Sequence, residues 1–507
     1  MAHTFRPRAR QVIAPVAAAV LLAAATALLQ LPEPPSWLAW GPAWLMAAIG
    51  AALGAGGATT VDRWRARREA EVDRDRPAIT LLVEHLGRQA GLVRIGEQGA
   101  HPLALRVHEA IPLVPTGELT AAQLAPGRHG TPLVSRAERS AVGGLDPDLP
   151  AFVDRTHLQV GEQVKEWMRA ARDSGGFLVV VGNSSVGKTR LLYETARQVL
   201  PDHVVLAPDL GDGGLVHTVA SARFPLPKLI LWLDELQRFL PGPYFVPNQP
   251  PGQDPVAAGD IRKLLAAGVM ILATLWPEHL TQLRATGKDP QTGEDRPRYS
   301  AAVDILSSRV TTIRLETFSE DERAAAAHLA SLDPRLARAV ADRDYNVTEV
   351  LAGARHIMRR YQQATDAKKA VVLAAVDARR LGIQAPLTEA LLCGAARGYL
   401  TTVHPDDTWF QSALAELTST ARRDDRATAP LPEIPDADHK SVTGYTVADY
   451  LLQHLTRERR RHRLSAVTWQ ALIDHTHDPA DIRRLAISAD RRLLYRQAEA
   501  LYRTAAD

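Results

Sequence analysis

Eight consecutive residues, Gly182, Asn183, Ser184, Ser185, Val186, Gly187, Lys188 and Thr189, combine small side chains, one ammonium and three hydroxyls in a spacing that suits an anion cradle. Gly182 and Gly187 admit backbone angles that a side chain forbids, so successive N–H groups can turn inward around a phosphate. A helix starting here adds its positive end. Lys188 then bridges β- and γ-phosphates and the Thr189 hydroxyl ligates Mg²⁺, with Arg190 closing the expected binding set. Farther along, the apolar run 229–233 (LILWL) ends in Asp234 and Glu235. Asp234 is placed to hold Mg²⁺ together with Thr189, through water. Glu235 is the candidate general base, a carboxylate beside the metal that can polarise an attacking water; the plainer reading is a solvated acid at the start of the turn LQRF. Thr274, at the end of VMILAT, sets a hydroxyl near the γ-phosphate or is an ordinary strand-end threonine. Arg309, in ILSSRVTT, either reaches the nucleotide of a neighbouring subunit or is simply solvated.

These groups need a rigid frame. FLVVV at 177–181 is apolar without a period, as a strand buried on both faces requires. A helix is expected from Thr189 to Val199, with further strands at 203–207, 229–233, 269–274 and 310–315. Strands alternating with helices imply an α/β domain, a parallel sheet with helices on both faces. Two long polar insertions, 241–255 and 284–300, are lids or disordered segments. Beyond Glu316 the chain reads as helix, opening with a capping box in which Ser319 precedes Glu322.

The implied domains are 149–318 for the phosphate-binding unit, 319–420 for a helical or winged-helix-like module, 421–440 for a charged, Pro-rich linker and 441–507 for repeat-like helices. Residues 77–148 read as a small adaptor. Residues 1–76 carry two uncharged runs, about 11–32 and 36–58, each long enough to cross a bilayer, followed by a charged exit helix to about Arg76. LPEPP at 31–35 turns between them, Trp37, Trp40 and Trp44 suit the headgroup boundary, and arginines flank both outer ends. That charge pattern places both ends in the cytoplasm, so the chain is expected to be a multi-pass protein of the cytoplasmic membrane, anchored in lipid by this hairpin. The alternative for residues 1–30 is a signal peptide.

With 60 basic against 57 acidic residues, the net charge of +3 is too balanced to point to nucleic acid. A single cysteine, Cys393, excludes an intramolecular disulfide.

FLVVVGNSSVGKTRLLYE, LILWLDELQRF, MILATLWPEHL and the helical stretch KKAVVLAAVDARRLG with LTEALLCGAARGYL resemble P-loop ATPases of the AAA and STAND groups, in particular actinobacterial ATP-binding proteins with a helical-repeat tail. The likeness spans roughly 150–505 and is densest over 177–280. It implies Walker A and Walker B roles for Lys188, Thr189, Asp234 and Glu235, with one strand lying between the two Walker strands. It also implies a nucleotide-driven switch that uses Mg·ATP, meets a protein partner through its C-terminal helices and forms an ATP-dependent homo-oligomer. A nucleotide-sensing segment is expected near GARHIM at 353–358. The rival readings are a nucleotide-binding membrane scaffold without turnover and an AAA-type remodelling ATPase.

Overall fold

The computed structural model describes residues 76–86, 92–95, 105 and 149–505, the last range without 210, 242–254, 289–291, 308, 332, 403–407, 420–428 and 437–440. They fall almost wholly in one compact unit, Ala78–Asp507. The two apolar runs expected to cross the membrane, the exit helix before residue 76 and most of the insertion at 241–255 lie outside the described residues. Among the described residues no helix is long and apolar enough to span a bilayer.

Six strands form the central sheet: β1 (Val93–Arg94), β2 (Gly176–Val181), β3 (Val204–Leu206), β4 (Leu229–Leu233), β5 (Met270–Leu275) and, after a short hairpin of β6 (Thr286–Lys288) with β7 (Asp295–Pro297), β8 (Val310–Arg314). Their order is β1-β3-β4-β5-β2-β8. All neighbours are parallel except β1, which runs antiparallel along the outer edge of β3. The apolar runs alternate across the sheet, as a pleated backbone demands. Phe177, Val179, Leu231 and Ile271 face one core, shared with the helices Gly213–Ala220, Ala258–Ala266 and Ser300–Ser307. Leu178, Val180, Trp232 and Leu272 face the other, shared with Val160–Ala171 and Lys188–Val199. Burial on both faces is why these strands read as unbroken apolar text.

The described pieces of 77–148, which the sequence set apart as an adaptor, belong to this sheet. Leu82 and Leu86 enter one of its cores, Ile95 and Leu105 the other, and β1 extends its edge. The insertion at 284–300 is ordered over its described part, where it holds the β6–β7 hairpin.

After β8, Ser319 caps Glu320–Leu329 in the expected capping box with Glu322. This helix packs with Pro334–Ala341 and Val347–Leu351 around Ala326, Leu336, Ala339, Val347 and Val350, and Val153 joins the same small core. A buried ion pair anchors it: Asp333 accepts from the Ala151 amide at 2.9 Å and from Arg335, which also donates to the Leu149 carbonyl at 2.7 Å. The remaining helices, from Ile357 to Leu501, share one further core. The linker boundary expected at 421–440 does not divide it. Ala429 and Leu431 are buried, and Glu433–Pro435 pairs with Val442–Tyr445 in a hairpin extended by a bridge from Tyr445 to Leu387. Three- and four-residue strands carry too little periodicity to be read in Pro-rich text.

Replacing Asp333 by Ala leaves Arg335 buried without its carboxylate, a loss on the order of 3 kcal/mol. Hydrogen exchange is expected to show 319–351 opening ahead of the sheet; unchanged protection there would remove Asp333 as the anchor.

Candidate functional site

The strand order decides where the chemistry lies. β2, β4 and β5 are parallel and adjacent in the order β4-β5-β2, so their C-terminal ends open on one edge. Off the end of β2 the chain turns through 182–187 and enters the helix Lys188–Val199. Gly182 is needed because a Cβ there would meet the Leu315 carbonyl oxygen at 2.5 Å. Gly187 has φ 92° and Ser185 φ 60°. A left-handed serine costs about 1–3 kcal/mol and is kept where the surrounding structure fixes it. Loop, strand ends and helix start thus form a tight turn at the C-terminal edge of the parallel α/β sheet.

Register brings the other groups in. Leu233 lies opposite Ala273 across β4 and β5, so the next residues, Asp234 and Thr274, become neighbours. Thr274 Oγ1 donates to Asp234 Oδ1 at 2.7 Å and accepts from the Glu235 amide at 3.0 Å. Thr189 Oγ1, from the first turn of the helix, donates to the same Asp234 oxygen at 3.1 Å. A hydroxyl and a carboxylate that close, both oxygen donors on rigid elements, suit a hard divalent cation such as Mg²⁺. The Lys188 ammonium is folded back onto the Asn183 carbonyl at 2.7 Å. Burial draws its pKa down to about 8, against the opposing charges of Asp234, Glu235, Asp449 and Glu278.

Glu235 also sits at the cleft, with left-handed φ 55°. Its carboxylate is held by Arg238 Nε at 2.7 Å. A half-open cleft joins these groups, lined also by Leu149, Pro150, Thr348, Leu351 and Ala352. Those walls are largely apolar and suit a planar base, while Ser184, Ser185, Gly187, Lys188 and Thr189 line the phosphate end. GARHIM begins one residue beyond Ala352, with Gly353 preceding the helix Ala354–Gln362.

Of the remaining expected residues, Val186 is buried in one of the sheet's cores and Arg190 lines the cleft. Arg190 donates to the Pro150 carbonyl at 3.1 Å and pairs with Glu194 at 2.8 Å. Arg309 does not join the site of its own chain. Phe177 pairs with Val310 and Val181 with Arg314, so Arg309 lies at the opposite end of β8, ~16 Å from the loop at 3.3 Å per residue.

Sequence reasoning missed Arg155. Its buried guanidinium donates to the Val186 carbonyl at 2.7 Å, the Glu316 carbonyl at 2.5 Å and Glu322 at 3.2 Å, with Phe318 stacked beneath it at 4.7 Å. It therefore ties the phosphate loop to the start of the capping helix. An arginine among apolar residues in AFVDRTHLQV was its only sequence signal. Also missed were Gln453 and Arg457, which reach the loop from a C-terminal helix.

No protein-family model matches the chain, and no curated protein matches it. Among solved structures, it is similar to the Walker-type ATPase PABY2304 of Pyrococcus abyssi (13% identity, TM-score 0.27, covering 61% of this chain and 99% of that one). It is similar also to a katanin self-assembly structure (12%, 0.20, covering 52% and 82%) and to a Drosophila ORC complex with AT-rich DNA and Cdc6 (13%, 0.19, covering 60% and 93%).

Holding Lys188 charged while buried costs the nucleotide-free fold on the order of 3 kcal/mol, from the drop of its pKa from 10.5 to about 8. Below pH 8 the cost is fully present; it is relieved as pH rises from about 8 toward 10.5, where the unfolded chain still holds the proton. Lys188→Met is therefore expected to raise the melting temperature of the free chain at pH 7 and to abolish the further rise on adding Mg·ATP. In wild type, affinity for ATP should weaken above pH 8, approaching about tenfold per unit, because binding needs the ammonium. A pH-independent dissociation constant between 7 and 9.5 would contradict this.

Proposed function

We propose that this chain binds Mg·ATP in the 182–189 loop and hydrolyses it, working as a membrane-anchored conformational switch. The observation that carries the reading is the meeting of the Thr189 and Thr274 hydroxyls on one oxygen of Asp234, beside Lys188, in a half-open cleft. Backbone amides of 184–189 and the helix start would receive the phosphates, and Lys188 would neutralise the β- and γ-oxygens. Thr189 and Asp234 would hold Mg²⁺, which when bound supplies Lewis-acid neutralisation of charge building on the phosphoryl oxygens. Thr274 fixes Asp234 on one side and the Glu235 amide on the other, so a change at the γ-phosphate is felt by both carboxylates. Glu235, released from Arg238, would orient and deprotonate the attacking water. Arg309, exposed on the opposite edge, would act only toward a neighbouring copy, in an ATP-dependent oligomer. The two apolar runs before residue 59 would anchor the chain in the cytoplasmic membrane, with the C-terminal helices left to meet a protein partner.

A second reading, nucleotide binding without turnover, is favoured by the Arg238 ion pair that engages Glu235. Phosphate release separates the two. Wild type should turn ATP over, and Glu235→Gln should retain ATP while slowing release by about 10²–10³-fold. Equal rates in both would take Glu235 out of the mechanism, and no release from wild type would leave the scaffold reading standing.

A further inference from the structure

The helix Asp449–Glu458 belongs to the C-terminal core, yet Gln453 in its middle and Arg457 in its last turn reach the 182–187 loop. Gln453 Oε1 accepts from the Ser184 amide at 2.7 Å. That amide belongs to the loop proposed to receive the phosphates, and the carboxamide oxygen already takes it. Arg457 donates to Asn183 Oδ1 at 2.7 Å, gripping the preceding loop residue. Both side chains are fastened to Glu278, which follows β5: Gln453 Nε2 donates to Glu278 Oε2 at 3.2 Å and Arg457 Nε to Glu278 Oε1 at 2.5 Å. Asp449, at the start of the same helix, lines the cleft and adds a negative charge near Lys188. Gln453 thus takes up a loop amide and Asp449 adds a charge that repels an anion, while the Arg457 cation is held by Glu278 and Asn183.

We propose that Asp449–Glu458 is a nucleotide-displaced latch: triphosphate and the Gln453 carboxamide compete for the Ser184 amide, so binding of ATP frees this helix and moves the C-terminal helices. The inference rests on the phosphate-site reading above and assigns the moving part of the switch. The contact joins residues 269 apart in the chain.

The test uses the purified full chain, with Gln453→Ala and Arg457→Ala singly and combined, and Lys188→Met alongside. Removing the competitor is expected to tighten ATP binding by about five- to tenfold, the scale of one neutral amide hydrogen bond. Hydrogen exchange in wild type supplies a readout independent of any variant's folding: amides of 449–458 should exchange faster with Mg·ATP bound than without nucleotide. Equal affinity in all three latch variants, or protection of 449–458 unchanged or increased by ATP, would overturn the latch while leaving the phosphate site intact. If neither wild type nor the double variant bound ATP, the phosphate site and the latch would fall together.

Discussion

One carboxylate oxygen organises the site. Asp234 Oδ1 receives hydroxyls from Thr189 on the helix after β2 and from Thr274 on β5, so three separate elements meet at one atom. A buried carboxylate without such partners would shed its charge or its position. With them it is held in place, and the polar cluster is specified by backbone register rather than by flexible side chains. The parallel order β4-β5-β2 makes this possible, because the strand between the other two presents Thr274 to Asp234. The same order keeps Arg309 at the distant edge, where it has no part in its own chain's site.

Around that atom the molecule stores unfavourable energy in known places. Lys188 is buried, and both Ser185 and Glu235 hold left-handed backbone angles. Such features persist where the surroundings over-determine them. Here the surroundings are Arg155 below the loop, the capping helix it pairs with, and the C-terminal helix above. An anion arriving in the loop would satisfy the buried ammonium and compete with the contact from Gln453. Strain in the free site and a displaceable contact are together what a ligand-driven change of state requires.

Much of the frame was legible because buried parallel strands advertise themselves. LILWL was read with its observed ends, and VMILAT and VTTIRL were placed within a residue of theirs. The turn after β2 was legible because Gly182 leaves no room for a Cβ and Gly187 holds φ 92°, and the place of Thr274 because it closes an apolar run. Arg155 was not, since its role depends on Val186, Glu316 and Glu322, none of which is near it in sequence. Gln453 and Arg457 sit on an amphipathic helix, and the partners that bury Gln453, Ser184 and Glu278, are far away in sequence, so nothing in their own segment marks them. The two-residue β1 and the hairpin at 433–445 are shorter than any period that could reveal them.

The central claim is that Thr189 and Asp234 hold the metal of a metal–triphosphate complex while the 182–189 amides hold its phosphates. Mn²⁺ in place of Mg²⁺ allows this to be read directly by pulsed electron paramagnetic resonance of the full chain with ATP. The account predicts phosphorus couplings from two phosphates in wild type, and their loss from the protein-bound signal in Asp234→Asn and Thr189→Val. Bound Mn²⁺ with the same couplings in both variants, or no protein-bound Mn²⁺·ATP in wild type, would contradict it.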